Sequence, residues 1–194
     1  METKKLKVFT SKQELKDILL KEKNIYGIKF HIRIRDSYTH EPTYLIWKWL
    51  RNSRYYDYYK HRLLTEGGFI NKLLFFYYSR KKNLLGERLG FHAETKNVES
   101  GLVIYHNGSV IINGGAVIGK NCILHGQNCI GNKGAPSSPC PHIGDNVEIG
   151  VGAKIIGDVQ IANGIIIGAG SVVVQSFTDK NVVIGGVPAR ILHQ

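Results

Sequence analysis

The sequence predicts an α+β protein, with a mainly helical N-terminal region at residues 1–87 and a parallel β-helix of hexapeptide repeats at residues 88–194. Charge and periodicity both indicate this division. Residues 1–90 hold 20 Lys and Arg against 9 Asp and Glu, and the rest of the chain holds six of each, so the net charge of +11 lies in the first part. From Ile112 onward, aliphatic residues recur at every sixth position. A basic helical region and a nearly neutral repeat region are therefore expected.

The first helix is predicted at residues 11–23 by a cap and by the spacing of apolar side chains. Ser11 suits the N-cap, and Glu14 three residues later completes a capping box. The apolar residues on one face follow at helical spacing: Leu15, Ile18 and Leu19. An amphipathic helix is expected here.

Two further helices are predicted over residues 41–64 and 67–85, separated by Gly67-Gly68. The boundary with the repeat region is expected near Gly86 to Gly90, because the composition changes there. Both Trp, nine of the ten Tyr and five of the seven Phe precede residue 91, while 17 of the 22 Gly follow it. Aromatic packing therefore belongs to the helices and turn formation to the repeats.

The helical region combines aromatics with cations, as in IWKWLRNSRYYDYYKHR and KLLFFYYSRKK. Such segments could bind an anionic glycan or lipid phosphate, or lie on a membrane surface. They could equally pack helices together and contact neighbouring subunits with a solvated basic face. Nucleic acid is not an expected partner, because no nucleic-acid-binding motif accompanies the basic residues.

Composition also limits the compartment and the chemistry. The longest apolar run, 73–78, is far shorter than the roughly 20 residues that span a bilayer. The N-terminal METKKLKVF lacks an apolar stretch with a cleavage site, so a cytoplasmic protein is expected, with contact at the inner face of the membrane left open. The three cysteines form no CxxC pair, which favours free thiols and no metal.

The repeat comprises ten positions, and all ten are aliphatic: Ile112, Ile118, Leu124, Ile130, Ile143, Ile149, Ile155, Ile161, Ile167 and Val173. Small or β-branched residues recur four positions later, at Ala116, Cys122, Val147, Ala153, Val159 and Ser171. A six-residue period drifts around an α-helix but fits one short strand and a turn. Each aliphatic residue is therefore expected to point into the column of a parallel β-helix.

The phase breaks once, between Ile130 and Ile143, where a step of thirteen residues replaces the twelve that would keep the register. The intervening GNKGAPSSPCPH is rich in Gly, Pro and Ser, so a protruding loop is predicted at residues 132–142. A solenoid does not need such a loop for stability, and a binding or catalytic role is one hypothesis. A tolerated insertion is the other.

The repeat, the segment LVIYHNGSVIINGGAVIGKNC, the loop, and the closing GAGSVV and IGGVPARIL together resemble the hexapeptide acyltransferases, and among them the serine acetyltransferase-like branch. The resemblance implies a left-handed β-helix, a homotrimer with active sites between neighbouring subunits, and acetyl transfer from acetyl-CoA to a hydroxyl. The hand comes from the resemblance alone, because spacing does not determine it.

By this resemblance His106 falls on the family's catalytic histidine. An imidazole can take the proton of a hydroxyl as the oxygen attacks a thioester carbonyl. His106 also lies one hexad before Ile112, so the periodicity predicts an inward slot for its ring. A polar ring in such a slot would be anomalous, and catalysis would explain it.

Three departures from the serine enzymes argue against free serine as the acceptor. Tyr105 stands where those enzymes have an aspartate before the histidine, Phe91 stands where their histidine-orienting aspartate would lie, and Cys140 replaces a second active-site histidine. The candidates to orient His106 are Glu94, Glu99 and His125. The candidate acceptor contacts are Tyr105, Asn107, Cys140 and His142. A surface or turn role for His125 and His142 stays open.

For acetyl-CoA, the resemblance implies binding along the C-terminal coils, largely through backbone groups. Small residues let the pantetheine arm approach the backbone, and a cation suits phosphate. The matching positions are Gly150, Gly152, Ala153, Lys154, Gly168, Ala169, Gly170, Ser171, Gly185, Gly186 and Arg190. The same glycines also suit the turns of the coils.

The resulting prediction is an acetyl-CoA-dependent O-acetyltransferase that acts on a sugar hydroxyl of a capsular or other surface polysaccharide, or of its precursor. Peripheral membrane contact through residues 1–87 is part of this prediction. One alternative is a serine O-acetyltransferase of cysteine biosynthesis. Another is a non-catalytic trimeric β-helix that serves as a binding scaffold.

Overall fold

The structure is a computed structural model of the chain, and it describes residues 11–39, 41–135 and 137–193. Four helices come first among these residues: α1 (Lys12–Ile25), α2 (Phe30–Thr39), α3 (Thr43–Thr65) and α4 (Phe69–Leu89). None of the described helices combines the length and the apolar composition needed to cross a membrane. Three of the four correspond to predicted helices.

The predicted capping box of α1 is confirmed. The Ser11 hydroxyl accepts a hydrogen bond from the Glu14 backbone N–H at 3.1 Å, and the Glu14 carboxylate accepts one from the Ser11 N–H at 3.2 Å. Helix α2 was not predicted, because FHIRIR alternates apolar and basic residues as a strand would. Its Asp36 caps α3 by accepting a bond from the Tyr44 N–H at 2.6 Å, so contact with α3 supports this helix.

Helix α4 runs four residues beyond its predicted end at residue 85 and stops at Gly90, which has the left-handed conformation of a C-cap. Gly86 lies within the helix rather than at a boundary. A Cβ at Gly86 would lie 2.8 Å from the Phe91 carbonyl oxygen, so glycine is required there by close packing. The predicted boundary at residues 87 and 88 falls in the last turn of α4, and the division into domains stays a prediction.

Short strands form the rest of the described chain. They are β1 (Phe91–Ala93), β2 (Val103–Ile104), β3 (Val110–Ile112), β4 (Val117–Ile118), β5 (Ile123–Leu124), β6 (Cys129–Gly131), β7 (His142–Ile143), β8 (Glu148–Ile149), β9 (Lys154–Ile156), β10 (Gln160–Ile161), β11 (Ile166–Ile167), β12 (Val172–Val173), β13 (Val183–Gly186) and β14 (Ala189–His193).

These strands stack into three parallel sheets, which are the three faces of a β-helix. The first face has the order β1-β3-β6-β9-β12, the second β4-β7-β10, and the third β2-β5-β8-β11-β13-β14. The pairs are parallel except for the antiparallel hairpin of β13 and β14 that ends the third face. All ten predicted hexad positions are buried, with at most 3% of each side chain exposed. The inward direction of the repeat is confirmed.

Strand pairing corrects the predicted length of the insertion. Ile130 lies on the first face and pairs with Ile155, while Ile143 lies on the second face and pairs with Ile118. The step of thirteen residues from Ile130 to Ile143 therefore replaces a single step of six. The break adds seven residues to one step rather than one residue to two steps, and the loop leaves the β-helix at the corner between the first and second faces.

The helical region closes the first coil with buried polar groups. Arg54, fully buried, forms an ion pair with Glu22 at 2.7 Å and donates to the carbonyls of Val98 and Glu99 at 2.6 and 2.8 Å. The Glu22 carboxylate also accepts a bond from the Gly101 N–H. The first coil has no coil before it to pair with, so these groups satisfy backbone atoms that the stack leaves open.

Candidate active site

His106 lies at a corner of the β-helix, between the third and first faces. This histidine corner consists of residues 105–109, 125–128, 150–153 and 168–171, which stack in four successive coils. The segment of the first coil, residues 105–109, is the longest of the four, and the other three lie above it. Ile104 and Ile112 are eight residues apart, whereas Leu124 and Ile130 in the next coil are six apart.

This longer corner overturns the predicted slot of His106. The inward position belongs to Ile104, which is 2% exposed and pairs with Leu124. The two additional residues carry His106 to the surface, where its side chain is exposed. The hexad count of the sequence was therefore wrong for this residue. An exposed imidazole is accessible to an acceptor hydroxyl, which an inward one would not be.

Backbone packing holds the histidine corner close to the coil above it. A Cβ at Gly126, which has φ of +109°, would lie 3.2 Å from the His106 Cβ, so a larger residue would push against the histidine. On the other side, the Gly108 N–H donates to the Leu89 carbonyl at 2.8 Å. The end of α4 and the next coil thus contact the backbone of this segment from two sides, while the His106 side chain stays exposed.

His125, a predicted orienting partner, lies in the same corner but is bonded elsewhere. Its Nε2 is 2.7 Å from the Glu148 Oε1, and its ring centroid is 5.1 Å from that of Tyr105. His125 therefore contacts the residue before His106. Its proposed action on His106 stays a prediction.

Glu148 was missed by the sequence reasoning. It lies on β8 and faces outward, in a row of otherwise apolar outward residues that includes Val103 and Ile123. A carboxylate in that row was the available signal. Because it bonds one ring nitrogen of His125, Glu148 fixes the orientation of that imidazole.

The other two orienting candidates lie at different corners. Glu94 follows β1 at the corner between the first and second faces, where it is 3.5 Å from the Lys82 Nζ. Glu99 follows Val98 at the corner between the second and third faces, and its N–H donates to the Ile118 carbonyl. Their support for His106 stays a prediction that would require a neighbouring subunit.

The predicted acceptor contacts fall into two groups. Tyr105 and Asn107 flank His106, and both are exposed. Cys140 lies at the loop corner, where its thiol donates to the Asn113 Oδ1 at 3.3 Å, and His142 follows on the second face. One chain does not bring the two groups together.

The candidate acetyl-CoA positions stack above His106. Seven of the eleven belong to the histidine corner: Gly150, Gly152, Ala153, Gly168, Ala169, Gly170 and Ser171. Lys154 follows this corner and is exposed, while Gly185 and Arg190 pair in the closing hairpin. The Ala153 and Ser171 side chains are buried, and the Ser171 hydroxyl donates to the Gly168 carbonyl at 2.7 Å.

A ligand along the two upper coils of this corner would meet mostly small residues, with Val151, 44% exposed, as the one larger exposed side chain there. Ala169 and Gly170 are exposed, and the space at the Cβ position of Gly170 is open to 4 Å. Lys154 and Arg190 are exposed cations that could accompany phosphate. The residues present therefore fit a narrow ligand such as the pantetheine arm of CoA, with its phosphates beside the cations.

The cysteines are free, as predicted. Burial raises the pKa of Cys122 to about 11 and raises that of Cys140 as well, so both thiols stay protonated at neutral pH. Within the described parts of the chain, no three His, Cys, Asp or Glu side chains are grouped to hold a metal ion.

Comparison with known proteins identifies the fold. The chain superposes on the crystal structure of serine acetyltransferase from Brucella abortus strain S19 in complex with coenzyme A, with a TM-score of 0.67 and 27% identity over 94% of this chain and 69% of that one. This is the serine acetyltransferase fold. The predicted left-handed β-helix is confirmed with it.

Two sequence relatives agree with this fold. A protein described as the colanic acid biosynthesis acetyltransferase WcaB of Escherichia coli K12 is 46% identical over 56 residues, which are 29% of this chain and 35% of that protein. Serine acetyltransferase of Staphylococcus aureus strain Mu50 is 46% identical over 54 residues, 28% of this chain and 25% of that protein. The predicted resemblance to the serine acetyltransferase-like branch is confirmed.

The matches cover only part of these relatives. The chain spans about one third or less of the length of the two acetyltransferases that it matches in sequence. No family model matches the sequence.

Proposed function

We propose that this protein is an acetyl-CoA-dependent O-acetyltransferase that acts on a sugar hydroxyl of a surface polysaccharide or of its precursor. The observation that carries the proposal is the exposed His106 at the base of a corner whose two upper coils consist of Gly, Ala and Ser with one Val. A base and a narrow path for a thioester donor then lie along one edge of the β-helix. The Brucella enzyme of the same fold binds coenzyme A.

In the proposed reaction, His106 takes the proton of the acceptor hydroxyl as its oxygen attacks the acetyl carbonyl. The tetrahedral intermediate collapses, the C–S bond breaks, and the imidazolium returns the proton to the CoA sulfur. The products are an acetyl ester and CoA. Tyr105, held against the His125–Glu148 pair, would contact the acceptor beside the base.

Phe91 separates this site from that of the serine enzymes. This residue stands where the resemblance expects an aspartate that orients the base, yet it is buried and packs edge-on against Trp49 with ring centroids 5.0 Å apart. Phe91 therefore joins the first coil to α3. The matched WcaB segment also belongs to a protein described as an acetyltransferase of colanic acid biosynthesis.

A homotrimer is part of the proposal, because Cys140 and His142 would join Tyr105 and Asn107 only across a subunit boundary. Peripheral membrane contact through the helical region would bring the enzyme to a lipid-linked sugar precursor. Serine is the second acceptor to test, because the Staphylococcus relative is a serine acetyltransferase.

The test measures acetyl-CoA consumption by the full chain with serine and with sugar acceptors. His106→Ala should lower kcat by about a hundredfold to ten-thousandfold if the imidazole is the general base. The matched control is His31→Ala, since His31 is an exposed histidine on α2.

Full activity in His106→Ala would overturn the mechanism. Turnover with serine but with none of the sugars would contradict the proposed sugar acceptor, while the proposed donor, acetyl-CoA, would still stand. A chain that binds no CoA would favour the non-catalytic scaffold.

A further inference from the structure

Helix α4 is apolar on two opposite sides. Its inner side packs against α3, where Tyr78 stacks on Tyr55 with ring centroids 4.6 Å apart and Phe75 lies 5.4 Å from Tyr56. Six large exposed residues form its outer face: Phe69, Ile70, Leu73, Phe76, Tyr77 and Leu84. A helix that is apolar on both sides normally has both sides covered.

The outer face is apolar over the first half of the helix. Phe69, Leu73 and Phe76 follow spacings of four and three residues, which bring them onto one stripe. Phe69 is 80% exposed, Leu73 58% and Phe76 57%. Leu64, 78% exposed at the end of α3, is a further apolar residue next to this end of α4. Arg80 occupies the next position of the stripe, so the described part of this chain leaves an apolar stripe open along about two turns of helix.

Cations lie beside the stripe and, at Arg80, within it. Lys72, Arg80, Lys81 and Arg88 are exposed on α4, and Glu87 is the one acidic residue in the sequence of this helix. Their long apolar stems can lie along the stripe while their charged ends extend to an interface. Apolar residues flanked by Lys and Arg are typical of a helix that lies in the headgroup layer of a membrane.

We propose that the outer face of α4 docks on a bilayer that contains anionic lipid. Charge decides between this occupant and a second copy of the chain. If two copies met through this face, the four cations of one copy would lie against the four of the other, and their repulsion would oppose association. The repeat region offers no acidic excess, since it holds six acidic and six basic residues. A bilayer with anionic lipid supplies both the apolar surroundings and the opposite charge, because its acyl chains take up the apolar side chains and its headgroups carry that charge.

The inference rests on the membrane contact of the proposed function, for which it names the surface and the lipid, and its test does not depend on acetyl transfer. Sedimentation with vesicles of phosphatidylcholine, and with vesicles of equimolar phosphatidylcholine and phosphatidylglycerol, measures binding of the full chain without any acceptor. The protein should sediment with the mixed vesicles far more than with the neutral ones, and added salt should reduce this binding.

Two double variants test the two components. Leu73→Ser with Phe76→Ser should weaken binding to the mixed vesicles by about tenfold or more, because two inserted side chains are lost. Arg80→Gln with Lys81→Gln should weaken it by about 25-fold, since each surface cation contributes about fivefold. All four residues are exposed, so both variants should fold.

The matched control is Leu20→Ser with Tyr38→Ser, an exposed aliphatic and an exposed aromatic residue on α1 and α2. Its binding should equal that of the unaltered chain. Absence of binding to mixed vesicles would overturn the proposal, as would equal loss in the control. If Leu73→Ser with Phe76→Ser instead reduces the oligomer size in solution without any effect on vesicles, a second copy covers this face and the proposal is wrong.

Discussion

The β-helix and the helical region are held together by different kinds of contact. Inside the β-helix, ten aliphatic side chains fill repeated slots, and each coil satisfies its backbone on the coils above and below. Where the helices meet the first coil, the buried groups include a charged pair, Arg54 with Glu22, and Asp57 bonded to the Thr95 hydroxyl at 2.5 Å. The side chains inside the repeat are held by apolar packing, whereas those at its first coil are held by hydrogen bonds and an ion pair.

The physical reason is that a stack of coils terminates in unpaired N–H and C=O groups. Helices cannot continue the strand ladder, so side chains from α1 and α3 bond to individual backbone atoms of residues 95–104 instead. A contact of this kind is lost when one atom is removed. A repeat slot loses only part of its packing when it is trimmed.

The largest effect should come from Arg54. Replacement of Arg54 by Met leaves the Glu22 charge buried without its partner, which should cost about 3–5 kcal/mol of unfolding free energy. Urea unfolding of both proteins at one concentration measures the difference. Arg33→Met, at an exposed position of α2, is the control and should change stability by no more than about 0.5 kcal/mol. If Arg54→Met and Arg33→Met had equal unfolding free energies, the buried ion pair would not be what holds the helices on the first coil.

A smaller effect should appear as a pH dependence. Burial raises the pKa of Asp57 from 3.8 to about 6, despite the bond from Thr95 and the nearby Arg54 and Lys82, which lower it. The folded chain therefore holds this proton after the unfolded chain has released it, and stability is lost as the pH rises from about 4 to about 6.

Asp57→Asn lacks this titration. The difference in unfolding free energy between the unaltered chain and the variant should change by about 2–3 kcal/mol across that pH window. Asp17→Asn, at an exposed position of α1, is measured beside it as a control for the loss of one carboxylate. A constant difference for Asp57→Asn would show that this carboxyl does not titrate as its burial requires.

The smallest effect should come from Tyr26, whose hydroxyl accepts a bond from the Ile104 N–H at 2.8 Å. Tyr26→Phe leaves that buried N–H without a partner and should cost about 1–2 kcal/mol. Ile104 directly precedes Tyr105 and His106, so kcat should fall while the KM for acetyl-CoA is unchanged. Tyr38→Phe, at an exposed position, should alter neither quantity. A change confined to KM would contradict a positioning role for Tyr26.

The candidate site shows how far periodicity extends. The sequence indicated His106 through a resemblance and identified the glycines that stack above it in one corner. It assigned His106 to the wrong slot, because an even count of six assumes that every corner has the same length. The corner at His106 has two additional residues, and only the pairing of Ile104 with Leu124 reveals them.

By itself, the sequence determined the β-helix, the direction of all ten repeat residues and the change of character near Gly90. Each of these depends on residues close together in the chain, so a local pattern records them. Only the tertiary structure decided that Arg54 meets Glu22, that His125 bonds Glu148 and that α4 leaves an apolar face open. These contacts join segments far apart in the chain, and their geometry depends on how the helices dock on the first coil.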